Sequence, residues 1–92
     1  MSDAEPREYR LKRLAMRSWR RGTKEMDLIL GPWADAHLAA MPAEVMDLYE
    51  SLLSENDQDL YLWVTGAQAA PDRFAPLLAD IGRFSSTRRS TV

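Results

Sequence analysis

The sequence predicts an all-α protein in which five helices form one compact domain. Apolar residues recur at the three- and four-residue spacings of helix faces. No segment shows the alternation of a half-buried strand, and neither an internal repeat nor a sustained heptad is present. The chain has 92 residues and is 46% hydrophobic, so it can build one core of modest size. We expect a helical domain over residues 1–84 and a disordered polar tail over residues 85–92.

The first predicted helix runs from about Glu5 to Arg20, and Pro6 is tolerated in its opening turn. Its buried face follows an i, i+3, i+4, i+7, i+8 series that contains Leu11, Leu14, Ala15, Ser18 and Trp19. Gly22 ends this helical segment, because glycine is a poor helix former and a common turn residue.

The second predicted helix begins after a cap at Gly22 or Thr23. Glu25 and Asp27 then lie near the positive end of the helix dipole, where carboxylates are stabilising. Gly31-Pro32 predicts a kink or a short interruption, because proline cannot donate the helical hydrogen bond. The side chains expected to face inward are Met26, Ile29, Leu30, Trp33 and Leu38.

Three more helices are predicted in the remainder of the chain. Pro42 starts the third, Asn56 or Asp57 caps a short fourth that ends at Gly66, and the fifth spans about Asp72–Phe84. The inward residues are predicted to be Val45, Leu48, Tyr49, Leu52 and Leu53 in the third helix, and Phe74, Leu77, Leu78 and Ile81 in the fifth.

Composition excludes several classes of protein. The absence of cysteine rules out disulfides and thiolate metal sites. No apolar run approaches the ~18 residues of a membrane span. The segment Met1–Glu8 carries three acids and no hydrophobic stretch, so we do not expect a secretory signal. A mitochondrial presequence would be poor in acids, so a bacterial cytoplasm is the expected location.

Charge is distributed unevenly along the chain. Residues 7–24 hold eight of the twelve Lys and Arg residues against one acid, whereas residues 25–80 hold eleven acids and one base, Arg73. A basic helix of this kind could bind nucleic acid, and a small helical nucleic-acid-binding regulator is the alternative function. The acidic remainder, the pI near 5.3 and the lack of interleaved aromatics disfavour it. The charge pattern more plausibly orients docking on a protein partner.

The run Arg21-Gly22-Thr23-Lys24-Glu25 combines a cation, a bare backbone and a carboxylate. If the run is helical, Glu25 lies four residues from Arg21 and the two side chains share a face. Gly22 has no Cβ, so a partner surface can approach the backbone there. The alternative interpretation is a turn glycine between two helices with an ordinary surface ion pair.

This run, extended through Leu30, resembles the R-G-x-x-E motif of the succinate dehydrogenase assembly factor family, small helical proteins called SdhE in bacteria. The similarity continues at Met26-Asp27-Leu28, at Pro32-Trp33 and at the later run Asp57–Trp63, and it covers roughly residues 9–82. Three fixed positions alone would be a weak signal. Their place in a chain of this length, with the downstream D-L-aromatic-x-W pattern, makes it a strong one.

The resemblance implies that the protein docks transiently on the flavoprotein subunit of succinate dehydrogenase, fumarate reductase or both, and promotes covalent attachment of FAD. The flavin belongs to that client, so the resemblance implies no cofactor, metal or catalytic residue in this chain and no membrane or nucleic-acid partner. Arg21, Gly22 and Glu25 are then the docking motif. Arg20, Met26 and Asp27 are expected to be partner-binding neighbours.

An enzyme is the third hypothesis, and few residues favour it. His37 is the only histidine, and Asp35 and Glu44 stand at no recognisable catalytic spacing from it. The acids at positions 55, 57 and 59 resemble a calcium loop only superficially, because Leu60 and Gly66 occupy the positions of its glycine and distal glutamate. We interpret these acids as a solvated linker and helix cap. No glycine-rich phosphate loop is present.

Overall fold

A computed structural model of the chain describes residues 5–90, with side chains described as far as Thr87. This part of the chain contains five α-helices and no strand, which confirms the predicted all-α class. The helices are α1 (Arg7–Trp19), α2 (Lys24–His37), α3 (Ala43–Leu53), α4 (Asp57–Thr65) and α5 (Ala75–Ser90), and a 3-10 turn (Leu38–Ala40) follows α2. The Cα radius of gyration is 12.9 Å, as expected for one compact domain. None of the helices within residues 5–90 has the length and apolar character needed to cross a membrane.

Local sequence explains where most helices begin and end. The Thr23 hydroxyl accepts a hydrogen bond from the Met26 backbone N–H at 3.3 Å and caps α2. The Asn56 side chain accepts from the N–H groups of Gln58 and Asp59 and caps α4. Gly66 ends α4 with a φ of 82°, a left-handed conformation that favours glycine.

Two predicted features of helices α2 and α5 were wrong. Helix α2 is not interrupted at Pro32, because buried neighbours on its inner face hold the turn together, and a kink there stays a prediction. Helix α5 begins at Ala75 after a turn, and it continues to Ser90 rather than ending at Phe84. Residues 85–90 contain no glycine or proline that would stop it. Residues 91 and 92, the end of the predicted disordered tail, lie outside the described residues.

The core lies around α2, which contacts α1, α4 and α5. The Trp33 ring is 2% exposed and packs against Tyr49 with the ring centroids 5.0 Å apart. The predicted inward residues of α5 are all buried, and Val45 and Leu48 of α3 are partly buried. The buried core comprises Leu14, Met26, Leu30, Trp33, Ala34, Leu38, Met41, Met46, Tyr49, Leu52, Leu53, Leu60, Phe74, Leu77, Leu78 and Ile81.

Trp19 departs from the predicted inward face of α1, since its side chain is 40% exposed. Its indole lies directly on the backbone of Gly31, where an added Cβ would come within 2.3 Å of the ring. The indole N–H is 3.2 Å from each carboxylate oxygen of Asp35. Gly31 is therefore required for the close approach of this tryptophan rather than for a break in α2.

A hydroxyl pair joins α1 to α3 inside the core. Ser18 donates to the Leu14 carbonyl at 2.8 Å, so Tyr49 donates the 2.6 Å hydrogen bond between the two hydroxyls. Burial raises the pKa of Tyr49 from 10.0 to about 12, because the ionised phenolate would lose its hydration.

We expect the stability of the wild-type protein to fall as pH rises from about 10 to 12. The unfolded chain releases the Tyr49 proton first, so the free energy of unfolding drops by an amount on the order of 2–3 kcal/mol. Tyr49→Phe should cost only about 0.5–1.5 kcal/mol at pH 7 and should remove this alkaline component. Urea unfolding at a series of pH values tests it, with Tyr9→Phe as a control at a ring that is 65% exposed. Equal alkaline losses in wild type and Tyr49→Phe would contradict the expectation.

Candidate docking site

The motif loop, residues 20–23, connects α1 to α2 and is not helical. Helix α2 begins at Lys24, so Arg21 and Glu25 do not share a helix face, and Gly22 lies between two helices as in the alternative interpretation. Within the described part of the chain, Arg21 forms its ion pair with Asp57 instead. The local reason is that Thr23 is the helix cap: its own backbone is extended, and its hydroxyl accepts from the Met26 N–H.

Arg21 is held inside the protein by three bonds from its guanidinium group. Its Nε donates to the Asp57 carboxylate at 2.7 Å, and the two side chains are 10% and 15% exposed. Its terminal nitrogens donate to the carbonyls of Leu53 at 2.8 Å and Glu55 at 3.1 Å, at the C-terminal end of α3. A cation is favourable there, because the last carbonyls of a helix carry partial negative charge. Arg21 therefore joins the motif loop to the connection between α3 and α4.

Gly22 is fixed to the same carboxylate. Its backbone N–H donates to the second Asp57 oxygen, and a Cβ on Gly22 would lie 3.0 Å from that oxygen. The φ angle of Gly22 is not positive, so backbone conformation does not require glycine here. The Asp57 carboxylate would have to shift by a few tenths of an ångström to admit a Cβ, so its close approach favours glycine at this exposed position.

Met26 and Asp27 also act inside the protein. Met26 is 1% exposed and belongs to the core. The Asp27 carboxylate accepts a hydrogen bond from the Arg21 backbone N–H at 2.6 Å. Asp27 and Asp57 thus accept hydrogen bonds from two successive backbone amides of the motif loop. This arrangement fixes the loop backbone before any partner arrives.

Glu25 is the exposed acid of the motif. Among the described residues it has no hydrogen-bond or ion-pair partner for its carboxylate. It lies at a surface groove of about 450 Å³, which we call the Glu25 groove. The groove is lined by Thr23, Glu25, Asp57, Gln58, Tyr61 and Leu62. The Tyr61 side chain is 42% exposed, and Leu28, three residues beyond Glu25 on α2, is 52% exposed. A free carboxylate beside exposed apolar side chains is suited to binding a protein surface.

Sequence reasoning missed the contribution of α4 to this site. Asp57 was interpreted as part of a solvated linker, whereas it is the central acceptor of the motif loop. Asp57 and Tyr61, and likewise Gln58 and Leu62, are separated by four residues and project from one side of α4. The signal was present in the run Asp57–Trp63. This run carried part of the family resemblance, but it did not indicate which of its side chains would contact the motif loop.

Most cations of α1 are used within the fold. Arg10 binds Asp47 and Glu50, Arg13 binds Glu5 and Glu50, and Arg7 donates to the carbonyls of residues 39 and 41. Hydrogen bonds from Arg13, with Arg10 adding to them, hold the pKa of Glu50 below its usual range. Arg10 and Arg13 are neutralised by acids and Arg7 is bound to backbone carbonyls, so the alternative of nucleic-acid binding through α1 is not supported.

His37 lies in a structural setting rather than beside a catalytic acid. Its Nδ1 is 2.9 Å from the Trp33 carbonyl, and its ring stacks on Trp33 with the centroids 4.8 Å apart. Among the described residues neither Asp35 nor Glu44 contacts it through a hydrogen bond. The enzyme hypothesis built on His37 gains no support from this geometry.

Together these observations describe a small helical protein whose motif loop is held by bonds within the fold and whose Glu25 carboxylate lies exposed at a surface groove. The family model described as "flavinator of succinate dehydrogenase" matches residues 12–85, and the chain belongs to this family.

Curated relatives agree with this assignment. The chain is 37% identical over 82 residues to the mitochondrial succinate dehydrogenase assembly factor 2 of Mycosarcoma maydis, covering 89% of this chain and 34% of the relative. It is 34% identical over 93 residues to the protein of that name from Saccharomyces cerevisiae S288c, covering 96% of this chain and 57% of the relative. It is 39% identical over 72 residues to the mitochondrial succinate dehydrogenase assembly factor 2-B of Drosophila mojavensis, covering 76% of this chain and 46% of the relative. The chain thus spans about a third to just over half of these relatives.

Proposed function

We propose that this chain is an assembly factor that binds the flavoprotein subunit of succinate dehydrogenase and promotes covalent attachment of FAD to it. Membership of the flavinator family supports this function. The observation that carries it to particular residues is the free carboxylate of Glu25 beside the exposed Tyr61, in the first turn of α2 and next to a loop whose backbone is already fixed. A fixed loop loses little entropy on binding, which favours docking.

The chain acts without reacting groups of its own in this proposal. The flavin and the residue that receives it belong to the flavoprotein. Binding of the Glu25 groove stabilises the flavoprotein conformation in which these two groups are aligned, and attachment then proceeds with the client's own chemistry. Such a mechanism needs differential affinity for two client conformations, not a catalytic side chain in the factor.

The proposed partner-binding residues divide into two roles. Glu25 and Gly22 contact the client, and exposed Arg20 lies beside them. The other three residues hold the loop in place. Arg21 does so through its ion pair with Asp57, Met26 through its place in the core, and Asp27 through the hydrogen bond that it accepts from the Arg21 backbone N–H.

Three finer proposals accompany this function. Fumarate reductase is a second client if the organism attaches flavin to it covalently. Docking is transient, because a shallow groove with one free carboxylate on a domain this size suits a small, reversible contact. The location is a bacterial cytoplasm, although the relatives described above are named as mitochondrial. Purification of the tagged factor from its own organism, with mass spectrometry of captured flavoproteins and their flavin content, tests all three.

Glu25→Ala should weaken binding to the flavoprotein by about 1–3 kcal/mol, or roughly 5- to 150-fold in Kd, because a charged hydrogen bond to the client is lost. Flavin attachment should fall with binding. The melting temperature should stay nearly unchanged, since the carboxylate has no partner among the described residues. Calorimetric titration and covalent flavin fluorescence of the co-expressed flavoprotein measure the two effects.

Glu44→Ala is the matched control for this variant. Glu44 is exposed, and it occupies the second residue of α3 as Glu25 occupies the second of α2, so both variants lose the same helix-dipole interaction. Binding that weakens equally in the two variants would contradict a specific contact at Glu25. A wild-type factor that neither binds the flavoprotein nor raises its covalent flavin content would overturn the proposed function.

A further inference from the structure

Helix α1 carries an exposed face that the fold does not use. Tyr9 and Met16 lie seven residues apart, and their side chains are 65% and 50% exposed. Lys12 lies between them on the same face, and Arg20 follows at the end of the helix. We call these four residues the α1 stripe. It alternates apolar and basic side chains along about 16 Å of helix.

The two cations of the α1 stripe differ from the other basic residues of α1. Lys12 and Arg20 are exposed, and within the described part of the chain neither forms a hydrogen bond or an ion pair through its side chain. By contrast, Arg10 and Arg13 are neutralised by acids from α3 and from Glu5. The α1 stripe therefore presents two positive charges that form no ion pair with an acid among the described residues.

We infer that the α1 stripe is a second contact surface for the flavoprotein, and that it binds an acidic, amphipathic segment of that client. The inference rests on the proposed function and extends it to a surface outside the R-G-x-x-E motif. The exposed side chains of Tyr9 and Met16 favour contact with apolar side chains of the flavoprotein. Lys12 and Arg20 favour carboxylates of the flavoprotein that lie between those apolar side chains. Arg20 directly precedes Arg21 and Gly22, so one partner can cover the α1 stripe and reach the motif loop.

A protein partner fits the α1 stripe better than nucleic acid does. Nucleic-acid affinity depends on many phosphate contacts, and the α1 stripe offers only two cations. Its large apolar side chains would stay in contact with water against a phosphate backbone. Acidic side chains spaced among apolar ones satisfy both components of the stripe at once.

The test measures Kd for the purified flavoprotein subunit with variants of the full chain. Lys12→Glu combined with Arg20→Glu should weaken binding at least tenfold and make it less sensitive to NaCl, and Lys12→Glu alone, outside the motif loop, should account for part of this loss. Met16→Ser should weaken binding about threefold or more, through loss of apolar contact. Arg83→Glu is the control, because Arg83 is 71% exposed but lies on α5. Thermal melts confirm that each variant is folded.

The outcomes separate this inference from the proposed function. Wild-type binding that Glu25→Ala weakens and the stripe variants leave unchanged overturns the second surface alone. A wild-type factor that binds no flavoprotein overturns both. Duplex DNA binding that the double variant abolishes, or a wild-type dimer that Met16→Ser dissociates in sedimentation, gives the α1 stripe a different occupant and overturns the inference.

Discussion

Arg21→Ala should lower the free energy of unfolding by about 2–4 kcal/mol, the largest stability loss expected from a single change in the motif. The variant removes the cation from a largely buried ion pair and leaves Asp57 with only the Gly22 amide. It also removes the two hydrogen bonds that Arg21 donates to the carbonyls of Leu53 and Glu55, at and just beyond the end of α3. Client binding should fall as well, because the motif loop loses its attachment to α4.

Urea unfolding at neutral pH measures this loss. Arg21→Lys should recover only part of it, since an ammonium group cannot reproduce the three directed bonds of the guanidinium group. Arg20→Ala is the neighbouring control and should change stability by less than about 0.5 kcal/mol, as is usual at exposed positions. An Arg21→Ala protein as stable as wild type would mean that Arg21 is a surface contact and not a structural one.

Gly22→Arg should abolish client binding, with an increase in Kd of at least about a hundredfold, or about 2.7 kcal/mol. A side chain at this position enters the surface that the partner approaches. It also displaces the Asp57 carboxylate, since its Cβ would lie 3.0 Å from Oδ2. We therefore expect a moderate loss of stability, about 1–2 kcal/mol, and not the unchanged fold that exposure alone would predict.

Gly66→Ala separates the two effects of Gly22→Arg. Gly66 has a φ of 82° with open space around it, so alanine there costs about 1–2 kcal/mol through backbone conformation alone. Gly66→Ala should bind the flavoprotein as wild type does at a temperature where both variants are folded. If both glycine variants lose binding equally, destabilisation explains the loss, and Gly22 is only a structural residue.

Much of the fold could be predicted because its signals are local. Helical spacing, the Thr23 and Asn56 caps and the left-handed Gly66 each act within a few residues of sequence. The continuity of α2 through Pro32 could not be predicted, because tertiary packing outweighs the lost hydrogen bond. The extent of α5 was underestimated because a polar composition was taken as a sign of disorder.

The site could be predicted only in part, for a similar reason. The motif predicted which residues bind a partner, and that stays a prediction, but it did not indicate that Arg21 and Asp57 meet across 36 positions of sequence. Spacing within one helix suggested a partner for Arg21 at Glu25, and the actual partner comes from another helix. Contacts of this range depend on how α2 and α4 pack, which no local pattern reports. The position of Tyr61 beside Glu25 was missed for the same reason.

Site-specific photo-crosslinking tests the central claim, that the fixed motif loop presents the Glu25 groove to the flavoprotein. A photoreactive phenylalanine at Tyr61 replaces one aromatic ring with another at a position that is 42% exposed. The same residue at Glu44 on α3 serves as the control. We predict that the Tyr61 probe crosslinks to the flavoprotein subunit, that Glu25→Ala reduces the crosslink and that the Glu44 probe gives none. A crosslink from Glu44 but not from Tyr61, with binding intact, would contradict the account.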